Sequence, residues 1–344
     1  MRRIIGRSGI ETSALGMGCW AIGGPWKGGD AQFGWGAVDD DESIRTVHRA
    51  LDLGVTFFDT ASNYGAGHSE SVLGRALAGR RDEVVVASKW GWTFDERTRE
   101  AGGSDSSAAY LRECLEGSLR RLGTDYIDLY QLHINELPVT EALDLIDTLE
   151  DLVADGRIRA YGWSTDNAEH ARAFAIAGPH CTAVQHDISV LRDAADVIAV
   201  CEATGQASVN RGPLAMGLLS GKYHDGRTVG RDDVRSQGFD WQIYFREDGA
   251  AVPEWLPRIE AARELLTSGG RTLAQGALAW LWARSETTIP IPGCRTVAQV
   301  EENAGALQHG PLGRDEFAQL EEVLKDLRTT PDAKPLGEEP SLNH

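Results

Sequence analysis

Residues 56–65 read Thr-Phe-Phe-Asp-Thr-Ala-Ser-Asn-Tyr-Gly, and residues 84–90 read Val-Val-Val-Ala-Ser-Lys-Trp. Each stretch contains a short apolar run typical of a strand buried on both faces. A charged residue stands where each run stops, Asp59 in the first and Lys89 in the second. The carboxyl ends of parallel strands meet at one edge, and ligands bind there. We therefore expect Asp59, Lys89 and the nearby Tyr64 to meet at a functional site.

These three residue types together make a proton donor for a carbonyl oxygen. A phenol titrates near pH ~10 in water, and a neighbouring ammonium group lowers its pKa by favouring the phenolate. A carboxylate beside that ammonium would hold it in place and keep it charged. The alternative is an ordinary Asp–Lys ion pair beside a surface tyrosine. His133 favours the catalytic interpretation, because it ends a third apolar run and is expected at the same edge.

Strand and helix patterns alternate along the rest of the chain. Eight strands are predicted, at 15–20, 55–61, 84–89, 126–133, 158–164, 182–188, 206–210 and 287–291. Helices are predicted from residue 41 to about residue 54 and then at about 69–79, 106–122, 139–154, 167–177, 192–204, 254–267, 272–285, 297–307 and 314–327. Eight such units in 344 residues favour an α/β fold, a closed (β/α)8 TIM barrel. The alternative is an open doubly wound sheet, but its GxGxxG fingerprint at the first helix is missing.

Several segments stand outside this repeat. A short amino-terminal hairpin is predicted to turn at 7–9. Residues 23–38 are rich in glycine and tryptophan, and residues 221–251 form a long loop before two helices that separate strands seven and eight. Long loops in barrels usually carry specificity. Because no linker divides the chain before its tail, we predict one domain at 1–328 and a flexible tail at 329–344.

Composition narrows the classes of partner. The chain has 34 basic and 52 acidic residues, a net charge of −18, which disfavours nucleic acids and anionic membrane surfaces. Its five cysteines are scattered without metal-binding spacing and are expected to be reduced, buried thiols. The amino terminus lacks the apolar core of a leader, and no apolar stretch reaches ~18 residues. We predict a cytoplasmic protein that does not insert into membranes, and the oligomeric state stays open.

Five ordered motifs resemble those of the aldo-keto reductase family. They are Phe58-Asp-Thr-Ala-Ser-Asn-Tyr-Gly65, Gly67-His-Ser-Glu-Ser-Val-Leu-Gly74, Ser88-Lys89, Gln131-Leu-His133 and Ile291-Pro-Gly-Cys-Arg-Thr-Val-Ala-Gln-Val-Glu-Glu-Asn303. The resemblance implies an oxidoreductase that uses NADPH to reduce an aldehyde or ketone, or that oxidises the corresponding alcohol. It implies that Tyr64 is the general acid, that Lys89 and Asp59 tune it, and that His133 orients the carbonyl.

The resemblance also implies a nicotinamide cofactor that lies extended across the mouth of the barrel. The positions that match the family's cofactor contacts are Ser164, Thr165, Gln185 and Arg211 at the nicotinamide, Leu214, Gly217 and Ser220 over the pyrophosphate, and Gly293, Arg295, Gln299, Glu302 and Asn303 at the adenosine. Two of them depart from the family pattern. Thr165 stands where many members have asparagine, and Asn167 offers a substitute amide. Arg211 stands where members usually have an aromatic or small residue, and its guanidinium plane can stack on a ring.

Arg295 decides the predicted cofactor. It stands where the last barrel helix begins, and a helix amino terminus favours an anion while arginine forms bidentate bonds to phosphate. The 2′-phosphate of NADPH has that chemistry, so we predict NADPH rather than NADH. Glu302 and Asn303, one turn beyond Gln299, are expected to face the adenine. The alternative is that Arg295 is a solvated charge at a helix start.

The substrate pocket is predicted from tryptophans. Trp26, Trp35 and Trp90 would give an apolar, aromatic pocket for a small carbonyl compound or alcohol. Two other functions remain open at this point. One is a regulatory member that binds the cofactor with little turnover. The other is a metal-dependent barrel hydrolase using Asp59, His133 and the strand-ending His186, but the first strand lacks His-x-His, and no metal is predicted.

Overall fold

The computed structural model describes residues 1–328 and contains all eight predicted barrel strands. The predicted tail at 329–344 lies outside the described residues. The strands, in chain order, are β1 (Arg2–Ile4), β2 (Glu11–Ser13), β3 (Gly16–Gly18), β4 (Lys27–Gly28), β5 (Ala31–Gln32), β6 (Phe57–Asp59), β7 (Val85–Trp90), β8 (Trp92–Asp95), β9 (Glu100–Ser104), β10 (Ile127–Leu132), β11 (Ile158–Ser164), β12 (Cys181–Asp187), β13 (Ala207–Arg211) and β14 (Thr288–Pro290).

Helices lie close to their predicted positions, and the one predicted at 139–154 is divided into two. They are α1 (Asp40–Asp52), α2 (His68–Ala76), α3 (Ala108–Leu122), α4 (Val139–Leu143), α5 (Ile146–Ala154), α6 (Ala168–Ala177), α7 (Ala195–Thr204), α8 (Trp255–Thr267), α9 (Leu273–Arg284), α10 (Val297–His309) and α11 (Arg314–Arg328). Within the described chain, none of these helices is both long and apolar enough to cross a membrane.

Eight parallel strands form the barrel, in the order β14-β13-β12-β11-β10-β7-β6-β3. A parallel bridge between Gly18 and Gly293 closes the ring, and the Gly18 amide donates to the Pro292 carbonyl at 3.0 Å. Inward-facing side chains such as Phe57, Leu129 and Val209 make a packed cluster in the barrel. The closed ring brings the carboxyl ends of β6, β7 and β10 to one rim. Asp59, Lys89 and His133 were predicted to meet at these strand ends.

The predicted amino-terminal hairpin is present and consists of β1 and β2, which pair antiparallel. Its Ile5 and Ile10 pack in the same cluster as the inward-facing barrel residues. A 3-10 turn at Gly6–Ser8 contacts β12 and β13. The turn packs closely against the starts of those strands. A side-chain carbon at Gly6 would collide with the Thr182 carbonyl and the Ala207 amide, so only glycine fits there. The hairpin therefore covers the amino-terminal end of the barrel and leaves the opposite rim open for a site.

Sequence reasoning missed a second sheet at the rim. Strands β4 and β5 of the glycine-rich segment join the hairpin β8–β9 in a four-stranded sheet of order β5-β4-β9-β8. β4 and β5 have two residues each, and the stretch Glu100-Ala-Gly-Gly-Ser104 lacks alternating apolar residues. Local pattern therefore could not reveal these strands, whose pairing depends on contacts between distant segments.

Residues 221–251, here called the strap, lie against residues 23–38, here called the rim loop. The Val234 amide donates to the Gly34 carbonyl at 2.8 Å, and the Gln32 amide donates to Gln237 Oε1 at 3.1 Å. An antiparallel bridge joins Trp35 to Asp233. The strap and the rim loop thus form one continuous border along this side of the mouth of the barrel.

Candidate active site

Asp59, Lys89 and Tyr64 meet at the rim, as their positions in the sequence predict. Lys89 Nζ donates to Asp59 Oδ1 at 2.6 Å, to the Thr60 carbonyl at 2.8 Å and to Tyr64 Oη at 3.2 Å. Lys89 has no exposed surface, and Asp59 is 2% exposed, so neither charge is solvated by water. The carboxylate therefore balances the buried ammonium and aims it at the phenol.

Two glutamines hold the other oxygen of Asp59. Gln185 Nε2 donates to Asp59 Oδ2 at 2.7 Å, and Gln131 Nε2 donates to the same atom at 3.3 Å. Both glutamine side chains are buried inside the barrel. Gln185 was predicted at the nicotinamide, and in the structure its amide donates to the Asp59 carboxylate. Gln131 had no predicted role of its own. Its position two residues before His133 on the same strand is the signal that could have placed both side chains on the inner face of the barrel.

Burial and the Lys89 ammonium have opposite effects on the pKa of Tyr64. Desolvation raises the pKa of Tyr64, the charge of Lys89 lowers it, and the net direction is above the ordinary value. Lys89 lowers the pKa of Tyr64, as predicted, but desolvation outweighs the ammonium, so the net pKa lies above the ordinary value. Burial lowers the pKa of Lys89, but the charges of Asp59 and Tyr64 bring the net change above its ordinary value. At neutral pH the site thus holds a protonated phenol beside a charged lysine.

His133 lies beside the phenol, with the two ring centroids 5.7 Å apart and nearly perpendicular at 78°. Its backbone is fixed on both sides, because its amide donates to the Trp90 carbonyl at 2.8 Å and its carbonyl accepts from Trp92 Nε1 at 3.1 Å. Burial lowers the pKa of His133 well below its ordinary value, and the charges of Lys89 and Arg211 add to this. A neutral imidazole can orient a carbonyl by hydrogen bonding. It lacks the extra proton of an imidazolium, so it does not serve as the acid.

The three tryptophans predicted to line the substrate pocket have different environments. Trp35 is partly exposed in the rim loop and makes an edge contact with Trp20, with centroids 5.3 Å apart. Trp26 is 7% exposed and packs against Phe33. Trp90 has no exposed surface and belongs to the hydrophobic core. Trp90 therefore offers no surface to a substrate in this structure, because it lies within the last residues of a fully buried strand.

The strand ends predicted at the nicotinamide are linked by a polar network. Ser164 ends β11, and the amide of the buried Thr165 donates to the Gln185 carbonyl at 2.9 Å. Arg211 ends β13 and forms an ion pair with Asp166, which also accepts from Asn135 Nδ2 at 3.2 Å and from the Asp187 amide at 2.7 Å. The Arg211 guanidinium is thus fixed at the rim. Asn167, the substitute amide, instead caps α6 by accepting from the amides of Glu169 and His170.

The segment predicted to cover a pyrophosphate is a strained turn. It begins at Leu214 and continues through the 3-10 segment Ala215–Ser220, in which Met216 and Gly217 have φ of 54° and 91°. Ser220 Oγ donates back to the Gly217 carbonyl at 2.6 Å. Positive φ costs a non-glycine residue energy, so tertiary contacts must hold Met216 in this conformation. Its carbonyl accepts from Arg235 Nη1 of the strap at 3.1 Å.

Arg295 stands just before α10, which has Thr296 as its N-cap. Its guanidinium donates to the carbonyls of Trp35, at 2.7 Å, and Ala37, and its amide donates to Gln299 Oε1 at 2.7 Å. Among residues 1–328, no carboxylate lies within ion-pair distance of Arg295, so its charge is not neutralised by the protein. Both terminal nitrogens of the guanidinium are thus engaged by carbonyls, and the Val297 amide at the start of α10 donates to Glu42 Oε1 at 3.0 Å. What Arg295 offers to an anion is its positive charge, which has no carboxylate partner among the described residues.

The remaining predicted adenosine contacts differ in accessibility. Gly293 is exposed and Glu302 is partly exposed, and the Glu302 carbonyl accepts from Gln275 Nε2 at 2.9 Å. Asn303 is 4% exposed, and its Nδ2 donates to Cys294 Sγ at 3.2 Å. Asn303 therefore faces the protein interior, whereas Glu302 lies at the surface.

All five cysteines are free and buried, as the sequence predicts.

The residues proposed for a metal-dependent hydrolase do not converge. Asp59 is held by Lys89 and two glutamines, whereas His186 has its Nε2 2.7 Å from Ser208 Oγ. Within the described part of the chain, no group of three His, Cys, Asp or Glu side chains is arranged to hold a metal ion. The donor set at the rim therefore suits proton transfer to an oxygen rather than metal coordination.

Comparison with known proteins agrees with this geometry. The sequence profile described as the Aldo/keto reductase family matches residues 14–325. An aldo-keto reductase of Schizosaccharomyces pombe, yakc, whose name specifies NADP(+), is 31% identical over 304 residues, 86% of this chain and 84% of the relative. The NADH-specific methylglyoxal reductase of Escherichia coli is 30% identical over 321 residues, 89% of this chain and 94% of the relative.

A solved structure has the same fold over nearly its whole length. The glycerol dehydrogenase AKR11B4 from Gluconobacter oxydans aligns with a TM-score of 0.79 and 29% identity, covering 98% of this chain and 99% of that chain. This likeness supports the (β/α)8 barrel fold.

Proposed function

The chain belongs to the aldo/keto reductase family, and on that premise we propose that it is an NADPH-dependent oxidoreductase that reduces an aldehyde or ketone, with Tyr64 as the general acid. The observation that carries the proposal is the contact of 3.2 Å between Lys89 Nζ and Tyr64 Oη, on a lysine that Asp59 holds at 2.6 Å. A protonated phenol with an ammonium beside it can give up its proton as negative charge develops on a carbonyl oxygen.

Each side chain has one task in this proposal. Tyr64 donates the phenolic proton to the carbonyl oxygen, and the positive charge of Lys89 stabilises the phenolate that remains. Asp59 keeps Lys89 charged and in position, and Gln131 and Gln185 keep the carboxylate fixed. Neutral His133, perpendicular to the phenol, orients the carbonyl by a hydrogen bond. In the reverse direction the phenolate accepts the proton of an alcohol.

The cofactor supplies the hydride that adds to the carbonyl carbon, so that a C–H and an O–H bond form together. The residues that would hold it are those at the ends of β11 to β14 and at the start of α10. Ser164 and Arg211 would hold the nicotinamide end, the turn around Gly217 would cover the pyrophosphate, and Arg295 would meet the adenosine. The unneutralised guanidinium of Arg295 supports a 2′-phosphate and therefore NADPH. A relative named for NADP(+) supports the same choice, and an NADH-specific relative makes a direct comparison of the two cofactors necessary.

The test is turnover by the purified full-length protein with NADPH or NADH and a panel of aldehydes, ketones and sugars. We expect consumption of NADPH that depends on the carbonyl compound, with a higher kcat/KM than for NADH. Binding of NADPH without turnover of any carbonyl or alcohol in the panel would contradict the proposal and favour a regulatory, cofactor-binding protein.

A further inference from the structure

A path of aromatic rings extends from the phenol of Tyr64 to the outer part of the rim. Tyr64 stacks on Trp20 with centroids 5.8 Å apart and an interplanar angle of 23°. Trp20 contacts Trp241 at 6.3 Å, Trp241 stacks on Phe239 at 5.3 Å, and Phe239 stacks on Phe33 at 5.2 Å. All five rings are partly exposed. They form a surface that we name the aromatic ledge, made of Tyr64, Trp20, Trp241, Phe239 and Phe33.

The ledge is built from segments that are distant in sequence. Trp20 follows β3, Phe33 belongs to the rim loop, and Phe239 and Trp241 belong to the strap. The strap is anchored by Arg235, which is 9% exposed and makes two bonds to Asp233, at 2.8 and 2.7 Å. The same guanidinium lies 4.7 Å from the ring centroid of Trp35. Two strap rings are therefore held in fixed register with the catalytic phenol.

The chemistry of the ledge favours flat apolar groups over sugars. A sugar ring needs directed hydrogen bonds as well as a stacking face. The indole N–H of Trp20 is already used, because it donates to the Phe33 carbonyl at 2.9 Å. The indole nitrogens of Trp26 and Trp35, the two tryptophans of the rim loop, are buried away from the surface. These three indole N–H groups are therefore not available to bond a sugar hydroxyl.

We propose that the aromatic ledge is the binding surface for the part of the substrate next to its carbonyl group, and that the substrate class is aldehydes and ketones bearing an aryl group, with Trp241 of the strap as the specificity-determining residue. The inference rests on the proposed function. The carbonyl would lie at Tyr64 Oη and the aryl group would extend along Trp20 and Trp241. An added ring would meet Phe239.

The test is a series of aldehydes with no, one or two fused aromatic rings: propanal, benzaldehyde and 2-naphthaldehyde. With the wild type we expect KM to fall by about three- to tenfold for each ring, with kcat nearly constant, because an aromatic pair contributes binding beyond the buried area alone. Trp241→Ala should remove this gain for both aryl aldehydes while changing the KM of propanal by less than about twofold. Trp241→Phe should restore most of it, since a flat face remains.

Two further variants separate the ledge from general effects. Phe239→Leu should raise KM for 2-naphthaldehyde more than for benzaldehyde, because Phe239 is one ring farther from Tyr64 than Trp241 is. Arg231→Ala, an exposed position of the same strap, should leave all three KM values unchanged.

A KM independent of ring number, an equal loss for all substrates in Trp241→Ala, or a preference for glyceraldehyde over benzaldehyde would overturn the inference while leaving the reductase intact. Absence of reduction of every compound by the wild type would instead remove the proposed function.

Discussion

Lys89 Nζ lies 3.2 Å from Tyr64 Oη, and both residues stand on the inner side of the rim although they belong to different strand ends. Lys89 Nζ also lies 4.8 Å from the centroid of the Tyr64 ring, so the ammonium contacts the face of the ring as well as its hydroxyl oxygen. Burial and the charge of Asp59 raise the pKa of Tyr64, whereas Lys89 lowers it by its charge and its hydrogen bond, and Arg211 lowers it to a smaller extent. In the proposed mechanism, Lys89 is thus the main group that favours loss of the phenolic proton.

Tyr64→Phe should reduce kcat for carbonyl reduction by about a hundredfold or more, because general acid catalysis by one side chain contributes about 10²–10⁴. The phenyl ring keeps the stacking on Trp20, so the Kd for NADPH should change by less than about twofold. Steady-state kinetics and a fluorescence titration measure the two effects. Tyr126→Phe is the matched control, because Tyr126 precedes β10 at the opposite end of the barrel. Unchanged turnover in Tyr64→Phe would remove the phenol from the mechanism.

Lys89→Met should shift the pH dependence upward. Removing Lys89 takes away the larger of the two charges that lower the pKa of Tyr64 and leaves burial and Asp59 opposed only by Arg211, so that pKa rises further. Alcohol oxidation needs the phenolate, and its pH of half-maximal kcat should therefore move to higher pH. Carbonyl reduction at neutral pH should become slower, because the phenol is a weaker acid.

Lys89→Arg keeps the charge and should show a smaller shift, measured by pH profiles of kcat in both directions. A fall in stability of about 3–5 kcal/mol is also expected in Lys89→Met, because Asp59 is left buried and unpaired. Thermal unfolding measures that loss separately. A profile with the wild-type pH dependence would contradict the tuned-phenol model.

Arg295→Ala should raise the Kd for NADPH by about ten- to a hundredfold, because a charge-assisted hydrogen bond contributes about 1.5–3 kcal/mol to binding. NADH lacks the 2′-phosphate, and its Kd should change little. The structure adds one alternative, because the same guanidinium holds the rim loop through the carbonyls of Trp35 and Ala37. Fluorescence titration with both cofactors distinguishes the roles, and Arg295→Lys tests whether charge alone suffices. An equal loss for NADPH and NADH would assign Arg295 to the rim loop.

Arg235→Met should loosen the strap. The variant leaves the buried carboxylate of Asp233 without its bidentate partner, and breaking a buried pair costs about 3–5 kcal/mol. Hydrogen exchange at strap amides, including the Val234 amide bonded to Gly34, should become faster, while amides of the barrel strands stay protected. The double variant Arg235→Met with Asp233→Leu should recover part of the protection. Unchanged exchange in the single variant would show that other contacts hold the strap.

The barrel, and the meeting of Asp59, Tyr64, Lys89 and His133 at its rim, could be predicted because their signals are local. Each barrel strand is a short apolar run, and Asp59, Lys89 and His133 stand at or just beyond the point where a strand ends. A parallel barrel brings such ends to one rim, so residue type and position were sufficient. The helix start beside Arg295 was visible for the same reason, since Thr296 is a common N-cap residue.

Other features depend on which distant segments come into contact, and no local pattern carries that information. Trp90 and Trp92 are two residues apart, yet Trp90 is buried in the core whereas Trp92 donates to the His133 carbonyl. Trp241 and Arg235 lie in a loop without periodicity, and only packing against the rim loop gives them a role. The lowering of the Tyr64 pKa by Lys89 could be predicted from residue types, but the net rise could not, because desolvation is set by the tertiary fold and here exceeds the charge effect of Lys89.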